Sequence, residues 1–391
     1  MRKSISVVTL AINVATSGVL CAQPYQFVKV ADTSGPFQSF AAPVINSSGE
    51  VAFYARTDDL AEGIFNGADP LTSAIASSKA GLLSHFGDDP SINDSGTVAF
   101  TADRHFSGLP SRSAVLTVAG SVLNLVADAI SPFRNRFSAP SINNSGMVAF
   151  VGSAKANTRG IFNGPDPVNN LVADDSTVYT FNSEETKPAI NSDGKIAFYA
   201  RLGNNRGIFS GPNPATDALF YPNSALDLIQ DVDINDNGVL AFVNDPPVGV
   251  QGVYVGTSAA VELLTDIGGA YKNLGFPDIN NLGEVAFFAD LDDFGTGVFN
   301  GADPVTNKIV RSGDAIFGGT VRQIEFYRGF NNAGQVAFKY SLTSGVSGIA
   351  IASPVPEPSL LPLASIGTIC SVALRRRRSP FRVIAKFSPI R

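Results

Sequence analysis

The chain has no Trp, two Met, two His and two Cys among its 391 residues. Both cysteines, Cys21 and Cys370, lie in the end segments. A disulfide framework is therefore excluded for the body, which must be held by packing and closure. The histidines, His85 and His105, stand on either side of Asn93, and no third ligand follows at a recognisable metal-site spacing. No G-x-S-x-G elbow, H-E-x-x-H pattern or glycine-rich phosphate loop occurs, so the common hydrolase, zinc-peptidase and nucleotide signatures are absent. Charged residues make up only 16% against 44% hydrophobic, a balance that excludes a disordered body. Nine basic residues and one acid belong to the two ends; without them 19 Lys and Arg face 33 Asp and Glu. An acidic body without clustered cations excludes nucleic acid as a partner.

What the chain does have is repetition. The stretch Pro140-Ser141-Ile142-Asn143-Asn144-Ser145-Gly146-Met147-Val148-Ala149-Phe150 returns as P-x-I-N-x-x-G-x-V-A-F, with its asparagine at Asn46, Asn93, Asn143, Asn191, Asn235, Asn280 and Asn331. Seven copies at a period of roughly 44 to 51 residues fall in the range of propeller blades and other arrays. Within a unit, N-x-x-G reads as a turn whose Gly takes positive φ, and V-A-F as the strand that follows. A second strand reads from Gly63-Ile64-Phe65, Gly160-Ile161-Phe162, Gly207-Ile208-Phe209 and Gly297-Val298-Phe299, with the flanking glycines taken as turns. A D-P or N-P loop and a last apolar segment, such as Leu171-Val172-Ala173, complete four strands per unit.

The last copy stops before a fourth strand, and residues 25–32 ahead of the first copy have the pattern of an orphan one. The expectation is an all-β, seven-bladed β-propeller of four-stranded blades over residues 23–353, closed by the N-terminal strand, which removes exposed sheet edges. An open β-solenoid is the alternative.

The ends read as addresses. Arg2 and Lys3, an apolar run and the small residue Ala22 make residues 1–22 a secretory signal peptide. At the other end Val355-Pro356-Glu357-Pro358 precede an apolar run, expected as a short hydrophobic helix, and then Arg375, Arg376, Arg377 and Arg378. This order resembles the PEP-CTERM sorting signal of Gram-negative bacteria that make exopolysaccharide. The resemblance covers residues 354–378, with a basic tail at 379–391. It implies recognition by an exosortase-type processing enzyme, cutting near Pro-Glu-Pro, transient inner-membrane anchoring, and release or attachment at the cell surface. The N-x-x-G-x-V-A-F units also resemble exported, PEP-CTERM-tailed repeat proteins of no established activity, so no catalytic residues carry over.

The nearest approach to a ligand motif is Asp233-Ile234-Asn235-Asp236-Asn237-Gly238, which opens like a calcium loop. Asp233, Asn235 and Asn237 would be the ligands and Ca2+ the one cofactor admitted. Its twelfth position is Asn244 rather than Glu, and Asn and Asp at such turns also cap their own backbone. Acidic pairs at Asp58-Asp59, Asp88-Asp89, Asp174-Asp175, Glu184-Glu185 and Asp292-Asp293 could serve glycan cleavage if they converged, and read otherwise as solvated loop charges. The repeated Phe at 53, 100, 150, 198, 242, 287 and 338 reads as packing between blades, and Tyr54, Tyr199 and Phe288 as candidates for stacking on sugars.

The function expected is a non-catalytic, exported repeat protein of the cell surface or extracellular matrix, associated with exopolysaccharide or surface proteins. A carbohydrate-binding, lectin-like propeller is the first alternative and a glycan-cleaving enzyme the second. Nearly identical units without a unique polar cluster favour the scaffold over the enzyme.

Overall fold

The computed structural model describes residues 25–106, 109–130, 133–134, 137–154, 158–176, 178–181, 186–221, 228–246 and 249–356. The signal peptide, the C-terminal helix, Glu184, Glu185, Glu357, Pro358 and the four arginines of the sorting signal lie outside them. Val355 and Pro356 are described, and both are exposed. Among the described residues no helix is long and apolar enough to cross a membrane.

The chain from 25 to 354 forms seven antiparallel sheets, the expected seven-bladed propeller of four-stranded blades. In blade 6, Tyr271–Ile279, Val285–Leu291, Thr296–Phe299 and Lys308–Arg311 succeed one another from the innermost strand to the outermost. Closure occurs as the orphan strand suggested. Tyr25–Asp32 pairs antiparallel with Ser347–Pro354, Tyr25 opposite Pro354 and Asp32 opposite Gly348, and so supplies the outer strand of blade 7.

The innermost strand departs from regularity for a local reason. Pro43, Pro90, Pro140, Pro188 and Pro277 sit three residues before the motif Asn, where a missing N–H cannot continue a ladder. The strand is split in blades 1, 2 and 4, for example into Tyr179–Thr180 and Ala189–Ile190. In blades 3 and 6 it bulges, between Ser138 and Ser141 and between Gly275 and Asp278.

The glycines before I-F or V-F are not turn residues, as the sequence suggested. Gly63 and Gly297 lie inside strands because a Cβ would stand 2.4 Å from the Ala76 carbonyl oxygen and 2.7 Å from that of Val310. The outer strand bulges toward the chain there, between Val298 and Phe299 in blade 6.

Among the described residues the core falls into seven clusters, one per interface between successive blades. In each, the motif Phe of one blade packs on the motif Ala of the blade before it, as Phe287 does with Ala241 and Phe53 with Ala337. All seven of these Phe have no exposed surface. Burial of one Phe contributes roughly 1.5–3 kcal/mol, so each V-A-F segment supplies both faces of the contact around the ring. Tyr199 is buried in the same way, and Tyr54 and Phe288 are half-buried against the neighbouring blade. The candidate stacking residues are thus interface residues.

Candidate functional site

The seven N-x-x-G turns gather at one end of the central channel around a polar cavity of about 150 Å³. Each motif Asn is almost wholly buried, and its amide is used twice. Oδ1 accepts the N–H four residues on, at 2.9–3.0 Å in every copy, and so caps its own turn. Nδ2 donates to the carbonyl oxygen of the next blade's Asn, from Asn46 to Asn93, Asn143, Asn191, Asn235, Asn280, Asn331 and back to Asn46. The seven bonds, 2.9–3.3 Å long, form a closed annulus.

The residues that read as a calcium loop belong to this annulus. Asn235 spends its oxygen on the N–H groups of Asn237 and Val239 and its nitrogen on Asn280. Asn237 donates to the Asn281 carbonyl, and Asp233 accepts from the Ile279 N–H at 3.1 Å. The Asn235 oxygen is taken by its own turn, and the other contacts join blade 5 to blade 6.

A different constellation occupies the inner strands about the residues four before the motif Asn, at Asp89, Lys187, Asp231, Phe276 and Tyr327. Lys187 Nζ pairs with Asp89 Oδ2 at 3.0 Å and lies 4.1 Å from the centre of the Tyr327 ring. The Arg328 guanidinium stands 5.4 Å from the same ring and donates to the Pro188 carbonyl at 2.9 Å. Phe276 meets Tyr327 edge-on at 5.6 Å, and its N–H donates to Asp231. Blades 2, 4, 5, 6 and 7 are thereby tied across the axis. The space left is about 10 Å³, room for one water.

These groups line a narrow channel, touching solvent yet surrounded by protein, and the electrostatics follow. Burial pushes the Tyr327 phenol up to about 12, although Arg328 and Lys187 oppose it. Burial opposes the charge on Arg328 and on Lys187, but Tyr327 and the nearby carboxylates outweigh it and hold both above their ordinary values. Below them Asp278 is buried against Asp233. Burial, the Asp233 charge and the hydrogen bond between the two raise it well above the carboxylate range, so the pair holds a proton. Asp278 also accepts the Phe330 N–H at 2.8 Å.

Backbone strain marks the same place. Among the described residues seven other than Gly have positive φ. Asp231 (44°), Phe276 (50°) and Arg328 (48°) line the channel cluster, and His85 (49°) lines the cavity beside it. That cavity, about 210 Å³, is bounded by blades 2 and 3 and shares Asp89 with the Lys187 pair.

His85 and His105 do meet, but around a hydroxyl. Ser84 Oγ lies 2.8 Å from His105 Nε2 and 3.1 Å from His85 Nδ1, and the latter is 3.4 Å from Asp103. Serine and carboxylate share one ring nitrogen of His85, whereas a catalytic relay needs them on opposite nitrogens. Among the described residues no three His, Cys, Asp or Glu side chains are placed to hold a metal ion. Most of the loop acids remain in their own blades, where Asp59 pairs with Lys79, Asp293 with Arg311, and Asp174 and Asp175 bond Ser176 and the Arg159 N–H, whereas Asp89 reaches Lys187 of blade 4.

The sequence did not disclose the channel cluster, and its expectation of no unique polar group is corrected by it. The signal lay beside the motif. Blades 5 and 7 carry Val232 and Arg328 where the other five carry Pro, and only blades 5 and 6 have Asp two residues before the motif Asn.

A model of a family of unknown function, DUF7453, matches residues 28–327 and 312–362. No curated protein sequence matches the chain. Among solved structures, prolyl oligopeptidase B of Galerina marginata is similar with a TM-score of 0.52 at 11% identity, over 82% of this chain and 50% of that one. The oligogalacturonate lyase of Vibrio parahaemolyticus gives 0.48 at 11% over 85% and 97%. TolB of Acinetobacter baumannii gives 0.40 at 13% over 81% of this chain, which spans 63% of that protein. At these identities the likeness is one of fold.

Proposed function

Because the chain belongs to that family of unknown function, we propose its role from its own site: a non-catalytic, exported interaction module of the cell surface or extracellular matrix that engages exopolysaccharide at the channel mouth opposite the annulus. The observation that carries this reading is the convergence of four left-handed, non-glycine residues on that one mouth. Such conformations cost about 1–3 kcal/mol each and persist where a site requires them. The repeated N-x-x-G turns set the frame, and the channel cluster departs from the repeat at Val232 and Arg328, where the other five blades carry Pro. The tail is the exosortase address and the N-terminus the export signal, consistent with an acidic body lacking disulfides.

The test is co-sedimentation of the purified protein with the producing organism's own exopolysaccharide, with calcium and with chelator. Saturable binding under both conditions is expected, because Asn235 Oδ1 and Asp233 Oδ2, two of the three calcium-loop candidates, already accept backbone N–H groups. Binding lost on chelation and restored by calcium would favour the calcium-dependent, lectin-like alternative. Release of reducing ends would favour the glycan-cleaving one.

A further inference from the structure

We propose that the 210 Å³ cavity between blades 2 and 3 is the subsite for a single neutral sugar ring of the bound glycan; this rests on the glycan-binding reading above. Its volume lies below the roughly 300–1,000 Å³ of pockets for drug-sized ligands, so it takes one ring and not a length of chain.

Its lining is suited to a sugar. Phe86 and Phe137, buried in the interface clusters on either side of blade 2, form its apolar wall and leave most of its lining polar. Asp88, Asp89 and Asp103 supply carboxyl oxygens, which accept from pairs of neighbouring hydroxyls, and Thr101, Ser113 and Ser138 supply hydroxyls. Asp88 is exposed, while Asp89 is held by Lys187. Gly87 lies hard against its neighbour in the wall: a Cβ there would stand 2.3 Å from Thr101 Oγ1, and the Gly87 N–H donates to the Thr101 carbonyl at 2.8 Å. The left-handed conformation of His85 turns its ring toward Asp103 at the entrance.

Charge sets the selectivity. Three carboxyl groups face one imidazole around the cavity, and the nearest Lys is already paired with Asp89. A uronate or sulfated ring would bring like charge into this space, whereas a neutral hexose brings only donors and acceptors.

The purified full chain should be bound to the exopolysaccharide and challenged with glucose, galactose, mannose and, as the anionic counterpart, glucuronate. At least one neutral sugar should compete, and glucuronate should compete at least tenfold less well. Asp88→Asn, a change at an exposed position, should weaken polysaccharide binding about tenfold, and Ser138→Trp, which fills the cavity, should abolish it with the melting temperature retained. If the wild type binds and both variants bind equally well, the subsite is wrong while the glycan reading stands. If the wild type does not bind the polysaccharide at all, the reading beneath it fails, and the subsite with it. Competition by glucuronate equal to that of the neutral sugars would overturn the selectivity.

Discussion

At the scale of the residue, the motif Asn serves both ends of its contact with one short amide. Its carbonyl caps the N-x-x-G turn as Asp would, and its amide reaches the next blade as no carboxylate could. Asn143→Ala removes the cap on Ser145 and Met147 together with the bond to the next blade, and leaves the buried Asn191 carbonyl without this donor, so a loss of about 1–3 kcal/mol is expected in urea unfolding. Asn143→Asp keeps the cap but sets a carboxylate oxygen against that carbonyl and should cost at least as much. A variant Asp as stable as the wild type would mean the annulus contributes nothing. The turn was legible from Asn and Gly in sequence. The donor role was not, because the partner carbonyl lies 48 residues away and no local pattern records it.

At the scale of the element, the inner strands of blades 5 and 6, Leu228–Ile234 and Tyr271–Ile279, are joined through side chains as well as by packing. Asp233 accepts the Ile279 N–H, and Asp278 is hydrogen-bonded to Asp233 and accepts the Phe330 N–H. Asp278 is raised in the folded state, so its contribution is fully present below the ordinary carboxylate range. It is lost as pH rises through the folded value, where two carboxylates must share one buried site. Asp278→Asn keeps a donor toward Asp233 and an acceptor for Phe330 at every pH. The variant should therefore gain on the wild type as pH rises from 4 to 8, read from urea midpoints across that series; parallel curves would remove the shared proton. Strand order was legible from the repeat. The left-handed conformations of Asp231, Phe276 and Arg328 were not, since none of the three is the Gly that ordinarily announces positive φ.

At the scale of the whole molecule, closure is what separates this ring from an open array, in which each unit contacts only its neighbours. Tyr25 and Pro354 are register partners, so a short turn can join them and the chain can be reopened elsewhere. Opening at Leu71, an exposed tip between the third and fourth strands of blade 1, transfers the same three-plus-one closure to blade 1. It should leave the melting temperature within a few degrees of the wild type. Opening between Ser34 and Gly35 instead cuts between blades 7 and 1, and no strand then crosses the seam. That seam keeps the Phe53 packing and the Asn331 to Asn46 bond but loses its covalent tie. The second permutant should melt clearly lower and be cleaved by protease faster. Equal melting temperatures would show that the annulus and the Phe–Ala contacts close the ring unaided, and that the N-terminal strand merely covers an edge.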